Sequence, residues 1–274
     1  MADSPEGVGL GLRRVLVDAL LEPHPHRFDF FEIAPENWMR IGGRLGRKFR
    51  ELTERETFLA HGLSLSLGGP EPLNEDFVRE LKAFLRAHGI AHYSEHLSAS
   101  SDGGHLYDLM PIPFTEAALR VVAERIQRVQ DILGQKMAIE NVSTYAAPGA
   151  EMDEIDFLQG VADAADCHIL LDVNNIFVNS INHGYDARAF MAAVPADRVI
   201  GLHVAGHYVE SEDLLIDTHG APVVAGVFDL LDRTYARLGP LPTLLERDFN
   251  IPPLAELAEE VEKIRSIQAG HGGL

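Results

Sequence analysis

The chain has 274 residues, of which 46% are hydrophobic, so it can bury a large core as a single domain. Its 23 Lys and Arg residues against 42 Asp and Glu residues give a net charge of −19. This charge argues against a nucleic-acid surface and an anionic membrane surface, and it suits a cation or a basic peptide. The only cysteine, Cys167, excludes a disulfide framework or a cysteine-based zinc site within one chain.

Residues 1–7 show no basic segment followed by an apolar one, and no apolar run reaches the length of a membrane-spanning helix. We therefore expect a soluble, cytoplasmic protein.

Eight short runs rich in β-branched and apolar residues recur along the chain, and most are separated by segments with helical spacing. This alternation is typical of βα units, and eight strands close a parallel barrel. The predicted strands are 7–12, 28–34, 58–64, 91–97, 136–142, 168–174, 199–205 and 243–248, and the predicted helices are 74–88, 115–133, 153–165, 186–193 and 226–238. We expect an α/β fold, a single (β/α)8 TIM barrel over residues 1–268, followed by a flexible tail at 269–274.

The ends of the predicted strands separate the histidines and acids into two groups. In a parallel barrel, functional groups lie at the carboxyl ends, whereas residues at the amino ends mainly stabilise the fold. His24, His26, His88 and His168 precede or open strands, so we exclude them as ligands. The third to eighth strands all end on metal-capable groups, which are His61, Glu95-His96, Glu140-Asn141, 172–175, His203 and 246–248.

Carboxylates that converge in an apolar-walled cavity imply bound cations, because without positive charge they would repel one another and take up protons. Imidazole and carboxylate ligands without thiolate suit iron, manganese or zinc better than copper(I) or calcium. A lone buried histidine or acid is usually a satisfied structural residue. The presence of such groups at six strand ends is hard to attribute to chance and favours a metal centre.

The long polar loop 206–224 adds Asp217 and His219, which reach the same side if the backbone between them is extended. The alternative is a surface turn. His183 and His207 are further candidates for ligation or substrate contact, with polar loop residues as the alternative.

Glu32 and Asn37 flank the end of the second strand. They either line the mouth of the barrel or hydrogen-bond to the backbone of the loops.

At these residues the sequence resembles the multinuclear non-haem iron-dependent oxidative enzymes (MNIO), a family long catalogued as of unknown function that includes the methanobactin-maturation oxidase. The resemblance covers nearly the whole chain, and its last four blocks are together quite specific. The matching blocks are Gly7-Val8-Gly9-Leu10, Phe30-Phe31-Glu32, His61-Gly62, Ser94-Glu95-His96-Leu97, Glu140-Asn141, Leu171-Asp172-Val173-Asn174-Asn175, His203-Val204-Ala205-Gly206-His207, Ile216-Asp217-Thr218-His219-Gly220, and Glu246 with Asp248.

The resemblance implies a xylose-isomerase-like barrel with two or three irons in mixed Fe(II)/Fe(III) states. Such enzymes use dioxygen to oxidise a cysteine in a ribosomally made precursor peptide, commonly with a companion protein that recognises the peptide leader. The implied ligands are His61, His96, Glu140, Asp172, His203 and Glu246 for a central pair, with Asn175, Asp217 and His219 for a third ion.

Asp248 is the candidate for moving protons. The candidate substrate contacts are Glu32, Asn37, His183, His207 and Arg247. Arg247 departs from the family pattern, in which an aromatic residue is expected, and this departure concerns the substrate pocket rather than metal binding.

Two other functions stay open. A divalent-metal sugar isomerase or phosphodiester hydrolase would use the same rim. The hydrolase needs a basic phosphate-binding cluster, for which only Arg247 is available, and the isomerase needs a lysine near the strand ends, whereas Lys136 opens its strand. A non-catalytic metal-binding scaffold would lack some ligands, yet the set is complete.

Overall fold

A computed structural model describes residues 5–272, apart from the side chain of Tyr107. Its strands are β1 Val8–Gly11, β2 Phe31–Ile33, β3 Phe58–Gly62, β4 Tyr93–His96, β5 Ala99–Ser101, β6 His105–Met110, β7 Ala138–Glu140, β8 His168–Asp172, β9 Val199–Val204, β10 Tyr208–Ser211, β11 Leu214–Ile216 and β12 Thr243–Leu245. Eight of these strands pair in parallel and close a barrel in the order β1-β12-β9-β8-β7-β4-β3-β2. The predicted (β/α)8 barrel is confirmed.

The helices lie between and around the strands. They are α1 Val17–Leu21, α2 Gly43–Arg55, α3 Glu75–Ala87, α4 Glu116–Leu133, α5 Glu154–Ala165, α6 Val173–His183, α7 Ala187–Ala193, α8 Ala225–Leu238 and α9 Leu254–Ala269. The five predicted helices correspond to α3, α4, α5, α7 and α8. Thr115 is the N-cap of α4, because its hydroxyl accepts a hydrogen bond from the Ala118 amide at 3.1 Å.

Helices α1, α2, α6 and α9 were not predicted. In α2 only Phe49 and Leu52 are buried among 13 residues, so the apolar stripe is too narrow to mark a helix in the sequence. In α9 the buried positions Leu257, Val261 and Ile264 do recur at helical spacing. These helices complete the outer layer that covers the barrel.

The sixth barrel strand ends earlier than predicted. Strand β8 stops at Asp172, and α6 begins at the next residue. The cause is local, because Asp172 Oδ1 accepts a hydrogen bond from the Asn175 amide at 2.6 Å and so caps the helix. Asn175 therefore lies in the first turn of a helix, not at the end of a strand.

Two antiparallel hairpins extend from the carboxyl ends of barrel strands. β5 pairs with β6 after β4, and β10 pairs with β11 after β9. The second hairpin lies within the loop 206–224, which the sequence indicated only as long and polar. Both hairpins stand on the side of the barrel where the predicted ligands end.

The described part of the chain contains no helix that could span a membrane. Helix α9 ends at Ala269, where the predicted tail begins, and residues 273–274 of that tail lie outside the described part. Residues 1–4, which belong to the segment 1–7 that shows no export signal in the sequence, also lie outside the described part.

Candidate metal centre

The carboxyl ends of the barrel strands bring histidines and carboxylates together in a buried cluster. Two groups of side chains offer ligand atoms that all lie within 4.8 Å of one another. One group is His61, Glu140 and His203, and the other is Glu140, Asp172, His203 and Glu246. Because Glu140 and His203 belong to both groups, the two groups form one continuous cluster.

His61 and His96 are oriented with their Nε2 atoms inward. His96 Nδ1 lies 2.8 Å from the Gly62 carbonyl, to which it donates, and His61 Nδ1 lies 2.7 Å from the Ser94 hydroxyl. The Ser94 hydroxyl is also 3.4 Å from the Ala60 carbonyl, so it can donate there and accept from His61. Both Nε2 atoms are then lone-pair donors, the tautomer that metal ligation requires.

Glu140 lies at the centre of the cluster. Its Oε2 is 3.0 Å from His61 Nε2 and 3.3 Å from His96 Nε2, and its Oε1 is 2.8 Å from His203 Nδ1. His203 Nδ1 is also 3.2 Å from Glu246 Oε2. A carboxylate with its two oxygens directed at different imidazoles is suited to bridge two ions.

Asp172 and Asn175 lie beside this pair. The side chain of Asn141 fixes the end of β8, since it donates to the Asp172 carbonyl at 3.0 Å and accepts from the Asp172 amide at 2.9 Å. Asn175 Nδ2 donates to the Asn141 carbonyl at 3.0 Å, which leaves Asn175 Oδ1 as its available donor atom for a metal.

Asp217 and His219 form a third group above the other two. His219 Nε2 is 2.7 Å from Asp217 Oδ1, and its Nδ1 is 3.2 Å from Asp248 Oδ2 and 3.6 Å from Glu246 Oε2. Asn174 Nδ2 and the Ser143 hydroxyl donate to the two oxygens of Asp217 at 2.9 and 3.1 Å. These bonds hold the Asp217 carboxylate in one orientation.

Six buried atoms of this cluster have no hydrogen-bond partner: Asp172 Oδ2, Asn175 Oδ1, and both ring nitrogens of His203 and of His219. Several of these atoms lie close to carboxylate oxygens, but outside hydrogen-bond geometry. Buried polar atoms are normally satisfied, so unpartnered nitrogen and oxygen donors that face one another need another partner. This donor set fits a cluster of first-row metal ions.

The electrostatics of the cluster indicate the same need for positive charge. Burial lowers the pKa of His96, but Glu140 and Glu95 outweigh it and raise the value to about 9. Burial, followed by repulsion from Glu140, Glu246 and Asp217, raises the pKa of Asp172 well above its ordinary value. An ion-free cluster thus takes up protons, as converging carboxylates in an apolar cavity do.

Three of the five residues predicted to contact substrate lie in or near the cluster. Glu32 is buried inside the barrel, 3.1 Å from His203 Nε2, and His207 Nδ1 is 2.8 Å from Asn174 Oδ1. His183 Nε2 lies 2.8 Å from the hydroxyl of Thr144, on the loop that follows β7. Glu32 therefore contacts the cluster directly, His207 contacts it through Asn174, and His183 contacts the loop that follows β7.

Asn37 and Arg247 are not brought into the cluster. Asn37 is exposed, and its backbone carbonyl accepts a hydrogen bond from Arg14 at 2.7 Å. Arg247 points to the outside of the barrel, where its guanidinium pairs with Glu260 of α9 at 2.5 Å. Glu246 and Asp248, on either side of it, lie beside His203 and His219 in the cluster, so Arg247 points in the opposite direction to its two neighbours.

Sequence reasoning missed several residues that hold the ligands. Arg13 pairs with Asp248 and contributes positive charge near Glu246 and Glu32. Ser94 and Asn174 orient His61 and Asp217. Ser94 precedes His96 by two positions and so shares its face of the strand, a pattern that could have revealed it. Arg13 lies beyond the end of β1, and no motif marks it.

The fold resembles solved TIM-barrel structures at low sequence identity. A xylose isomerase domain protein from Alicyclobacillus acidocaldarius matches with a TM-score of 0.60 and 15% identity, over 98% of this chain and 99% of that one. Endonuclease IV from Thermus thermophilus matches with a TM-score of 0.61 and 17% identity, over 96% and 99%. These matches confirm the predicted xylose-isomerase-like barrel.

Relatives found by sequence have a much higher sequence identity to this chain than these solved structures have. A UPF0276 protein from Shewanella amazonensis is 58% identical over 261 residues, which is 95% of this chain and 94% of that protein. A UPF0276 protein from Pseudomonas aeruginosa is 55% identical over 266 residues, 97% of this chain and 94% of that protein.

The model of one enzyme family matches residues 7–269, nearly the whole chain and the full extent of the barrel. Members of that family modify precursor peptides, and the predicted resemblance is thereby confirmed. The chain belongs to the RiPP precursor modification enzyme family MbnB/TglH/ChrH.

Proposed function

We propose that this protein is a multinuclear iron-dependent oxidase that uses dioxygen to modify cysteine residues of a ribosomally synthesised precursor peptide. The observation that carries the proposal is the pair of overlapping donor groups that share Glu140 and His203. The family membership supports a peptide substrate.

The chemistry of the donors favours iron as the resident metal. His61, His96, Glu140, Asp172, His203 and Glu246 would hold a central pair of ions, with Asn175, Asp217 and His219 available to a third. Imidazole and carboxylate ligands without thiolate suit iron, manganese or zinc, and of these iron and manganese exchange electrons. Bound iron would supply the one-electron redox steps that allow dioxygen to react with a thiol-bearing side chain.

The side chains around the donors keep the site ordered. Asn141 fixes β8 against β7, and Ser94 holds the tautomer of His61. Arg13 holds the Asp248 carboxylate beside His219 at the solvent-facing edge of the cluster. With Asp248 exposed over 37% of its side chain, this residue can pass protons between the cavity and solvent.

Dioxygen accepts the electrons that the reaction removes from the peptide. Each pair of electrons removed from the peptide can reduce dioxygen to hydrogen peroxide, and four electrons reduce it to two water molecules. We further propose a cytoplasmic enzyme with a companion protein that recognises the leader of the peptide, and a domain that ends at residue 268.

A metal-dependent sugar isomerase or hydrolase is the alternative. Its support is the shared barrel alone, and identities of 15% and 17% carry only the fold. Arg247 points away from the cluster, and Arg13, which does reach it, is paired with Asp248, so neither arginine favours a phosphate site.

The test is anaerobic loading of the protein with Fe(II), followed by exposure to air with its cognate precursor peptide, to be sought among short cysteine-containing peptides encoded by neighbouring genes. We expect a change in peptide mass that requires both iron and dioxygen. An unchanged peptide mass, with iron bound and the peptide intact, would refute the oxidase.

A further inference from the structure

The β10–β11 hairpin stands at the rim of the candidate metal centre. β10 begins at Tyr208, four residues after β9 ends at Val204, and β11 ends at Ile216, directly before Asp217. At the base of the hairpin, the ring of His207 stacks on Phe177 of α6 with the ring centroids 5.4 Å apart. Both ends of the hairpin are therefore tied to the cluster.

One edge of the hairpin is closed by a side chain. Asn182 of α6 donates to the Leu215 carbonyl at 3.0 Å and accepts from the Leu215 amide at 2.8 Å, as a neighbouring strand would. The opposite edge belongs to β10. Within residues 5–272, β11 is the strand that pairs with β10, and no second strand covers its outer edge.

The exposed edge carries apolar side chains as well as backbone groups. Val209 lies opposite Leu215 across the hairpin, and both side chains share one face. Helix α6 covers Leu215, which is 5% exposed, but leaves Val209 57% exposed, and Tyr208 is 56% exposed. A strand added to β10 would cover these side chains and satisfy the edge.

The acidic residues around the outer edge of β10 favour a basic binding partner. Residues 199–232 contain no lysine or arginine, whereas Glu210, Glu212 and Asp213 are exposed at the tip of the hairpin. A second copy of this edge would meet the same acids and be repelled. A basic chain would be attracted.

We propose that the outer edge of β10 is a docking strand for an extended, basic segment of the substrate peptide, which binds by main-chain hydrogen bonds and leads the residue to be modified into the metal cavity. This inference rests on the proposed function for the identity of that residue. The four residues of β10 span about 13 Å at roughly 3.3 Å each.

The first experiment compares two fluorescein-labelled synthetic peptides, each with one central cysteine, in which valine alternates with either lysine or glutamate. Binding to the full-length protein as purified is measured by fluorescence anisotropy under argon. We expect the lysine peptide to bind about tenfold more tightly at low salt, with the difference shrinking at high salt. Hydrogen exchange of the protein should slow in β10. Equal binding of both peptides, no binding, or protection confined to another surface would overturn the proposal.

The second experiment reverses the charge at the tip of the hairpin. The double variant Glu210→Lys/Glu212→Lys should weaken the lysine peptide by at least about fivefold and strengthen the glutamate peptide. The matched control is Glu124→Lys/Glu259→Lys, which makes the same change in net charge at exposed positions of α4 and α9. A control that weakens binding as much as the hairpin variant would show a general charge effect and refute a specific docking strand.

These measurements separate the docking strand from the oxidase. Binding under argon requires no oxidation, so a protein that binds the lysine peptide at β10 but never changes a peptide's mass retains the docking strand and loses the oxidase. Conversely, a charge-reversed variant that modifies its peptide at the wild-type rate retains the oxidase and loses the docking strand.

Discussion

His61 Nε2 and His96 Nε2 face each other at a distance of 3.2 Å. Their Nδ1 atoms are directed at Ser94 and Gly62, so the two Nε2 atoms approach as lone pairs. Two lone pairs at this distance repel each other unless a proton or a cation joins them. Metal ions and protons therefore compete for the same position in this protein.

Competition with protons predicts that metal binding depends on pH. The pKa of His96 is raised to about 9, so its imidazole is charged at pH 7 in the ion-free protein and must lose a proton when a metal binds. Each proton released makes the affinity rise about tenfold per pH unit. Calorimetric titration with Zn(II), in buffers that differ in ionisation enthalpy, measures this release. Metal binding without net proton release at pH 7 would contradict the predicted competition.

Glu140→Gln tests the shared ligand. We expect metal affinity to fall about a hundredfold or more, because loss of an outer partner of a metal ligand alone costs 10–100-fold. Equilibrium dialysis against Fe(II) under argon gives the affinity. Glu75→Gln is the matched control, since Glu75 forms surface ion pairs with Arg79 and Arg128 and should leave metal binding unchanged. Equal affinities of the two variants would exclude Glu140 as a ligand.

Arg13 is predicted to position Asp248. Burial raises the pKa of Asp248, but His219 and Arg13 outweigh it and hold the pKa below its ordinary value. In Arg13→Met the pKa of Asp248 should rise, so the acid limb of the kcat profile moves to higher pH, and kcat falls about tenfold. Iron content should stay that of the wild type, and Arg13→Lys should restore part of the activity.

Arg14→Met serves as the control for Arg13, because Arg14 bonds the backbone of Asn37 at the surface. If Arg13→Met loses iron in step with its activity, or keeps the wild-type pH profile, Arg13 does not act through Asp248.

The structure brings the predicted ligand residues together more completely than it does the predicted substrate contacts. His61, His96, Glu140 and His203 come together because the end of a parallel strand is a fixed position in a barrel, which hydrophobic runs reveal. Arg247 was expected near the cluster as part of a strand that reaches 248, but β12 ends at Leu245. A pattern of apolar runs does not show in which direction a side chain beyond the end of the strand points.

The helical start of α6 was missed for a related reason. Residues 171–175 are compatible with a strand, and the interaction that ends it is the short-range bond from the Asn175 amide to Asp172. Aspartate at a strand end is equally a ligand or a helix cap, and here it offers one oxygen to each role. The position of Asn175, a proposed ligand of the third ion, therefore could not be predicted from the sequence.

Glu154 gives a prediction on stability away from the metal centre. Burial raises the pKa of Glu154 to about 7, whereas the usual value is 4.5. The folded state therefore holds a proton that the unfolded state has lost between these values, and the free energy of unfolding falls as pH rises from about 4.5 to 7. Glu154→Gln removes this loss, so the variant should gain up to about 3 kcal/mol over wild type above pH 7, and nothing near pH 4.

Urea unfolding of both proteins across this pH range measures the difference. Glu124→Gln, at an exposed position of α4, should follow the wild-type curve. A gain for Glu154→Gln that is the same at every pH would show that ionisation of Glu154 is not the cause.

The central claim is that side chains from six barrel strands form one metal-binding cluster. The most direct measurement is an anomalous difference map at the iron absorption edge, from crystals of protein loaded with Fe(II) under argon, together with elemental analysis of the same sample. We predict two or three iron ions per chain, surrounded by the ligands named above. Protein that stays free of iron after loading, or iron bound only at surface carboxylates, would contradict the account.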